Sequence, residues 1–215
     1  MAIPKILHQM WIGDKTKRPI RLMETWKDLN PSCVYMLWTD ENLLDFTFQN
    51  QSKVNSMVEL NGKCDIMRYE ILYKYGGFFV DADSECINTL DDFFFENNRF
   101  SCWENEQVGF DGDVMLVSSG HHACKEKDEL CGLAILELGK LDIDPNLRAW
   151  QLCGNLFFSK LINKWNFMYP TKIYPSWYFI PKHGTGVEYK GTDKIYAKHY
   201  WGSTFGIYGQ DDKLR

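Results

Sequence analysis

Hydrophobic and polar positions change period several times along the chain, and each change predicts an element. "KILHQMWI" (5–12) is a short β-like run ended by Gly13. In "RPIRLMETWKDL" (18–29), Ile20, Met23 and Trp26 recur at helical spacing, and Asn30-Pro31 stops the helix. "CVYMLW" (33–38) is a second strand, with Thr39-Asp40 as the N-cap of a helix over "ENLLDF". The strongest helix covers 63–75. There Cys64, Met67, Ile71 and Tyr75 form one apolar stripe, and Gly76-Gly77 supplies the usual C-terminal stop. "FFV" (78–80) is then a short buried strand that runs straight into Asp81-Ala82-Asp83. This alternation of strand and helix predicts an α/β domain with a largely parallel sheet.

Beyond Asp83 the chain turns through "TLDDFFF". "RFSCWE" (99–104) and "DVMLVSS" (113–119) have strand patterns, while "HHACKEKDELCGLAILELG" (121–139) and "RAWQLCGNLFFSKLI" (148–162) have helical ones. His121 and His122 would cap the first of these helices. The last third, rich in Tyr, Trp, Pro and Gly, offers short strands at "KIYP", "WYFIP" and "KIYAKHYW", which suits an irregular lobe beside a cleft. His8, inside the first strand, is expected as a hydrogen-bonded core histidine.

Length and charge narrow the class. At 215 residues and 45% hydrophobic, the chain can bury a sizeable core as one domain. Its net charge of -5 argues against nucleic acid or an anionic membrane as partner, since those surfaces repel acidic proteins. Seven scattered cysteines, none in a CxxC pair, give neither zinc-site spacing nor a disulfide framework, and fit a reducing compartment. Pro4, Lys5 and His8 interrupt any signal-peptide core, and no run approaches the ~18 apolar residues of a membrane span. The expectation is a soluble, cytoplasmic protein without a transmembrane segment.

The candidate chemistry sits where the buried strand ends. In open α/β sheets, ligands bind beyond the carboxyl ends of strands. Residues i and i+2 of a strand share a side, so Asp81 and Asp83 can face one point. Two adjacent carboxylates repel, and a divalent cation with a taste for oxygen, Mn²⁺ or Mg²⁺, offsets that repulsion. A solvated strand end would carry the same residues. Asp65 and Arg68 share a face of the preceding helix. They are either an exposed ion pair of small energetic consequence or a polyol grip turned into the cleft. A metal on two carboxylates commonly meets a phosphate. A haloacid-dehalogenase-type phosphatase would carry its Asp-x-Asp on the first strand, not past residue 80.

"CDIMRYEILYKYGGFFVDADSECI", together with "IPKILHQMWIG", the run from Trp26 to Asn42 and "AKHYWGSTF", resembles the DXD-containing glycosyltransferases. That family includes yeast-type initiating mannosyltransferases, capsular polysaccharide transferases and the glucosylating domains of clostridial toxins. The resemblance implies a GT-A type nucleotide-diphospho-sugar transferase fold, a mixed, mostly parallel sheet flanked by helices. Residues 1–117 would form the nucleotide-sugar-binding half and 118–215 the acceptor-facing, cleft-closing half. By position, Trp11 would stack on the nucleobase, and Asp65, Arg68, Asp81 and Trp201 would bind the donor. Asp81, Asp83 and His199 would hold the metal. Three departures stand out: Phe79 where a Tyr is frequent, Phe205 where the closing element often has Trp, and Asp113 before a strand where the family often has Asn.

The implied function is metal-dependent transfer of a hexose from a nucleotide-diphosphate sugar, UDP-linked or GDP-linked, to a glycan or glycoprotein acceptor. An inverting course needs a general base near the acceptor hydroxyl, for which Asp113 and Glu104 are the candidates; the family leans towards retention, which needs none. A non-catalytic nucleotide-sugar-binding module and a metal-dependent phosphohydrolase are the alternatives.

Overall fold

The computed structural model describes residues 2–110 and 114–210. Its strands are β1 (Ile6–Trp11), β2 (Val34–Thr39), β3 (Gly77–Val80), β4 (Ser84–Cys86), β5 (Arg99–Cys102), β6 (Gly109–Phe110), β7 (Val114–Met115), β8 (His121–Cys124), β9 (Lys172–Tyr174) and β10 (Ala197–His199). The helices are α1 (Ile20–Leu29), α2 (Gln51–Ser56), α3 (Leu60–Tyr75), α4 (Glu129–Lys140), α5 (Ala149–Leu152), α6 (Asn155–Trp165) and α7 (Gly202–Phe205). The central sheet has the order β2-β1-β3-β8-β5-β9. β1 pairs parallel with β2 and β3, β5 pairs parallel with β9, and β8 runs antiparallel between β3 and β5. The expected mixed, mostly parallel sheet is present, and strands from both sequence halves build it.

β3 is buried along its whole length, as a central strand covered on both faces should be. Phe79 enters the core on the side of α3, α4 and α6. Phe78 and Val80 enter the opposite core, where Phe78 and Phe94 each pack against Phe100 and Phe179 with ring centroids 5.0–5.5 Å apart. Gly76 (φ 60°) and Gly77 (φ 100°) make the turn from α3 into β3. A Cβ on Gly77 would also fall 2.7 Å from the Ile6 carbonyl oxygen, so a side chain there would prevent β3 from pairing with β1. His8 accepts from Trp38 Nε1 at Nδ1 (3.1 Å) and donates from Nε2 to the Gly76 carbonyl (2.8 Å), the core histidine expected.

α1 fastens the segment after the Asp pair. Trp26, fully buried, donates from Nε1 to the Ser84 carbonyl at 2.9 Å, and Asn30 Oδ1 accepts from Leu90 N. β4 then pairs antiparallel with β10, bringing His199 opposite Ser84. Trp26 and Asn30 thus hold the loop that carries Asp83 against the C-terminal strand.

Several expected elements take a different form. "ENLLDF" is a 3₁₀ turn (Asn42–Asp45) with no side-chain N-cap: Asp40 accepts from Gly13 N instead, and Asn42 reaches back to accept from Thr39 N. α3 is no amphipathic surface helix. Asp65, Ile66, Arg68, Tyr69, Glu70, Ile71 and Leu72 are all buried, so its partners surround it. The run from His121 does not begin as a helix. His121–Cys124 pair as β8, and Asp128 caps α4 by accepting from Leu130 N and Cys131 N. Gly154 breaks the 148–162 helix into α5 and α6, and "WYFIP" is a 3₁₀ turn at Ser176–Tyr178.

Candidate functional site

The site lies beyond the carboxyl end of β3. The Asp81 N–H donates to the Gly120 carbonyl (3.0 Å), which extends the β3–β8 pairing by one residue and fixes the backbone of the pair. Arg68, 3% exposed, reaches across from α3 and donates from NH2 to Asp81 Oδ1 at 2.6 Å and from NH1 to the Ser119 carbonyl. Asp65 lies 3.4 Å from the same guanidinium nitrogen. The exposed ion-pair reading of Asp65 and Arg68 is therefore wrong: both are buried and turned toward the Asp pair. Phe79 lies beneath, its ring 4.8 Å from the guanidinium carbon, a cation–π support.

Asp83 is held from the other side. Its Oδ2 accepts from Gly202 N at 2.6 Å and its carbonyl accepts from Tyr200 N. Each carboxylate thus has one oxygen tied to protein. The remaining two, Asp81 Oδ2 and Asp83 Oδ1, converge on His199 Nε2 at 3.7 and 3.2 Å. Asp81, Asp83 and His199 offer ligand atoms within 4.8 Å of one another. Two hard oxygens and one imidazole suit Mn²⁺ or Mg²⁺, and the carboxylates' second oxygens are already oriented by an arginine and a backbone N–H, so the donor set fits.

The electrostatics follow from crowding. Burial alone would raise both aspartates, but the Arg68 charge and the His199 contact hold Asp81 far below the usual carboxylate range. For Asp83 the His199 charge likewise overrides burial. Burial opposes the charge on His199, but Asp83 first and then Asp81 push it up to about 10. The imidazolium thus occupies the electrostatic place that a divalent cation would take. Burial pushes Asp65 up to about 7, with Arg68 only partly offsetting it. Arg68 is thus committed to Asp81, consistent with the shorter contact.

Around this centre, Trp201 takes a left-handed backbone (φ 58°), unusual for a large residue, and sets its ring 4.8 Å from His199 and 4.9 Å from His183. A Cβ on Gly184 would lie 3.2 Å from that ring, so Gly184 lets the indole pack flat. Trp11 stands half-buried at the end of β1, and its ring meets the Tyr208 ring edge-on at 5.0 Å. Phe205, 54% exposed on α7, makes no part of the centre.

Of the two base candidates, Asp113 lies outside the described residues. Glu104 is buried with both oxygens engaged, by Asn155 Nδ2 (2.6 Å) and His183 Nε2 (3.1 Å). It reaches the centre only through His183 and Trp201, or through Asn155, which accepts from Ser119 N (2.7 Å). His121 and His122 do not cap a helix. His121 faces the site, 3.1 Å from Ser84 Oγ, with its ring 5.7 Å from that of His199; His122 points into the opposite core.

Sequence reasoning missed Gly120, Ser119, Asn155, Gly202 and Tyr208. Gly120 has a readable reason only in space: a Cβ there would fall 2.1 Å from Asp81 Oδ2. Tyr208 has its phenol raised by burial and then by the Asp83 and Asp81 charges, which places it against the pair.

Residues 16–100 match the family described as "Glycosyltransferase sugar-binding region containing DXD motif". This region is similar to the sugar-binding region of DXD glycosyltransferases. Within that region lie Asp65, Arg68, Asp81 and Asp83; Trp11, His199 and Trp201 come from outside it. Inositol phosphoceramide mannosyltransferase 3 of Schizosaccharomyces pombe is 32% identical over 127 residues, covering 56% of this chain and 35% of that protein. The match spans about a third of such relatives, at 35% and 36% of the first two. Among solved structures, the PaToxG glycosyltransferase superposes with a TM-score of 0.57 at 14% identity, covering 76% of this chain and 70% of that one. The UDP-bound glycosyltransferase domain of the YGT toxin gives 0.53 at 9% identity, covering 80% of both. With the DXD region at the carboxyl end of β3 of a mixed sheet, the fold is GT-A. No helix among the described residues is long and apolar enough to cross a membrane.

Proposed function

We propose that the chain is a metal-dependent glycosyltransferase. It would move a hexose from a nucleotide-diphosphate sugar, UDP-linked in the favoured reading and GDP-linked in the other, to a glycan or glycoprotein acceptor. The observation that carries this is the convergence of Asp81 Oδ2 and Asp83 Oδ1 on one point, with their other oxygens tied off. A bound Mn²⁺ or Mg²⁺ supplies Lewis-acid stabilisation of the charge that develops on the departing diphosphate. Arg68, engaged by Asp81 and the Ser119 carbonyl, would orient Asp81, and Asp65 beside it would accept from a sugar hydroxyl. Trp11 offers a ring face for the base at the end of β1, and Trp201 excludes water from the diphosphate side.

The bound UDP of one structural neighbour supports a UDP-sugar, while the names of the sequence relatives support a mannosyl donor; both belong in the panel. The engagement of both Glu104 oxygens supports a retaining course, since neither is free to take a proton from an acceptor hydroxyl.

Thermal unfolding with UDP, GDP and their hexose conjugates, with and without Mn²⁺, tests the reading. A ligand at 100 times its dissociation constant adds about 2.7 kcal/mol, which for a domain of this size raises Tm by roughly 5–11 °C. A manganese-dependent rise with one nucleotide, lost in Asp83→Asn, is expected; no rise with any of them refutes the donor site. Slow hydrolysis of the stabilising donor separates a transferase from a module that only binds.

A further inference from the structure

The face of β8 opposite His121 carries a second cluster. His122 and Cys124 are two residues apart on the strand and point to one side, into the core under α4. Cys131, on the first turn of α4, meets them there. Its Sγ lies 3.5 Å from Cys124 Sγ, and one nitrogen of His122 and the two sulfurs all lie within 4.8 Å of one another. All three residues are fully buried. Neither ring nitrogen of His122 has a hydrogen-bond partner, and its ring centroid lies 4.5 Å from that of Phe158. A buried imidazole with both nitrogens unsatisfied needs an explanation, and an ion is one of the few that serves.

We propose that His122, Cys124 and Cys131 form a structural metal site for a single soft cation, Zn²⁺ by charge balance. Two thiolates and one neutral imidazole exactly cancel a divalent charge, which removes the objection to an ion in an apolar core. Thiolate and imidazole are the ligands that zinc and Cu⁺ take in preference to hard cations. The sulfur separation is already close to the edge of a tetrahedron with Zn–S bonds of about 2.3 Å, roughly 3.8 Å. Burial, then Cys124 and the capping Asp128 charge, push the Cys131 thiol up in the metal-free protein, so its proton leaves only as the cation enters. Loading exchanges two thiol protons for the cation and releases them to solvent. With no exposed path to the cluster, the ion enters as α4 docks on β8 during folding. It would tie α4 to the strand whose other face presents His121 to the Asp pair and His199.

The hydrogen bond from Cys124 Sγ to the Leu72 carbonyl, 3.8 Å, is long and is given up when the thiolate turns to the metal. The spacing His-x-Cys with a third ligand on the next helix is not a zinc-finger pattern, which is why the cysteine arithmetic did not find it.

The full chain, unfolded in reductant and refolded with Co²⁺, should show thiolate-to-cobalt charge-transfer absorption in the near ultraviolet. The Asp81/Asp83/His199 centre has no sulfur and cannot produce it. The absorption should persist in Asp83→Asn and vanish in Cys124→Ser and in Cys131→Ala, with circular dichroism reporting whether each variant folds. The protein as purified should carry close to one equivalent of zinc that survives in Asp83→Asn; copper in its place keeps the site and changes the ion. Wild-type protein that refolds without the absorption overturns the proposal whatever the variants do. So does a Cys124–Cys131 disulfide as the resting state of protein purified without oxidant.

Discussion

Replacing Gly120 by alanine tests the geometry of the Asp pair without touching a ligand. The added Cβ would lie 2.1 Å from Asp81 Oδ2 and 2.8 Å from its Cγ. Ordinary contacts need 3.4 Å or more, so the carboxylate must withdraw by roughly 1 Å, a displacement that typically costs ~10²-fold where alignment matters. It cannot withdraw freely, because Oδ1 is held by Arg68 at 2.6 Å and the backbone by the Asp81–Gly120 hydrogen bond at 3.0 Å. Either Oδ2 leaves the point it shares with Asp83 and His199, or the Arg68 contact opens. The first outcome weakens Mn²⁺ binding by about 100-fold, near 2.7 kcal/mol. The second leaves a buried guanidinium short of a partner and lowers stability by about 1–3 kcal/mol. Calorimetric titration with Mn²⁺ reads the first and thermal unfolding the second. The cause is isolated by Asp81→Ala: in that background the alanine at 120 has no carboxylate to displace, and its further effect should vanish. A Gly120→Ala protein that binds Mn²⁺ within threefold of wild type and unfolds at the same temperature refutes the reasoning.

Three further changes probe other parts of the molecule. Burial lowers His8 to about 4 despite its bond to the Gly76 carbonyl, so below pH ~6.5 the unfolded chain binds a proton that the native one refuses. Stability should fall as pH falls from ~6.5 towards ~4, by about 2 kcal/mol at pH 5, and urea unfolding of His8→Gln should lack that share of the slope; an unchanged slope contradicts the neutral assignment. Asp128→Ala breaks the buried pair with Arg99 (2.6 Å) and uncaps Leu130 and Cys131, and should cost about 3–5 kcal/mol in denaturant unfolding, whereas a loss under about 1 kcal/mol would mean that the pair is dispensable. Glu104→Gln should lower kcat/KM about tenfold if Glu104 only positions His183 and Trp201; a loss beyond ~10³-fold in kcat would restore it as a base.

What could be read in the sequence, and what could not, divides along the range of the interactions. Asp81, Asp83, Gly76-Gly77 and the strand between them are local: period two puts both carboxylates on one side, and the glycines end the helix, so a short window contains the whole argument. Arg68 was nameable, but its orientation was not. Helix spacing gave Asp65 and Arg68 a common face without saying whether it met water or the Asp pair, and only the burial of α3 on nearly every side decides that. The run from His121 went wrong for the same reason. Its apolar periodicity belongs to α4 from Leu130 onward, while His121–Cys124 is strand because β3 and β5 offer it two edges, a tertiary override of local propensity. Gly120 and the Gly202 N–H matter only because strands distant in sequence lay them against Asp81 and Asp83; nothing in their own neighbourhoods marks them. That one strand error hid two things at once. With His121–Cys124 drawn as helix, alternate residues do not face opposite ways, so neither His121 beside His199 nor His122 and Cys124 in the core could be placed. The strand assignment turns four adjacent letters into contributions to two different sites, and it makes the metal chemistry of each testable without the other.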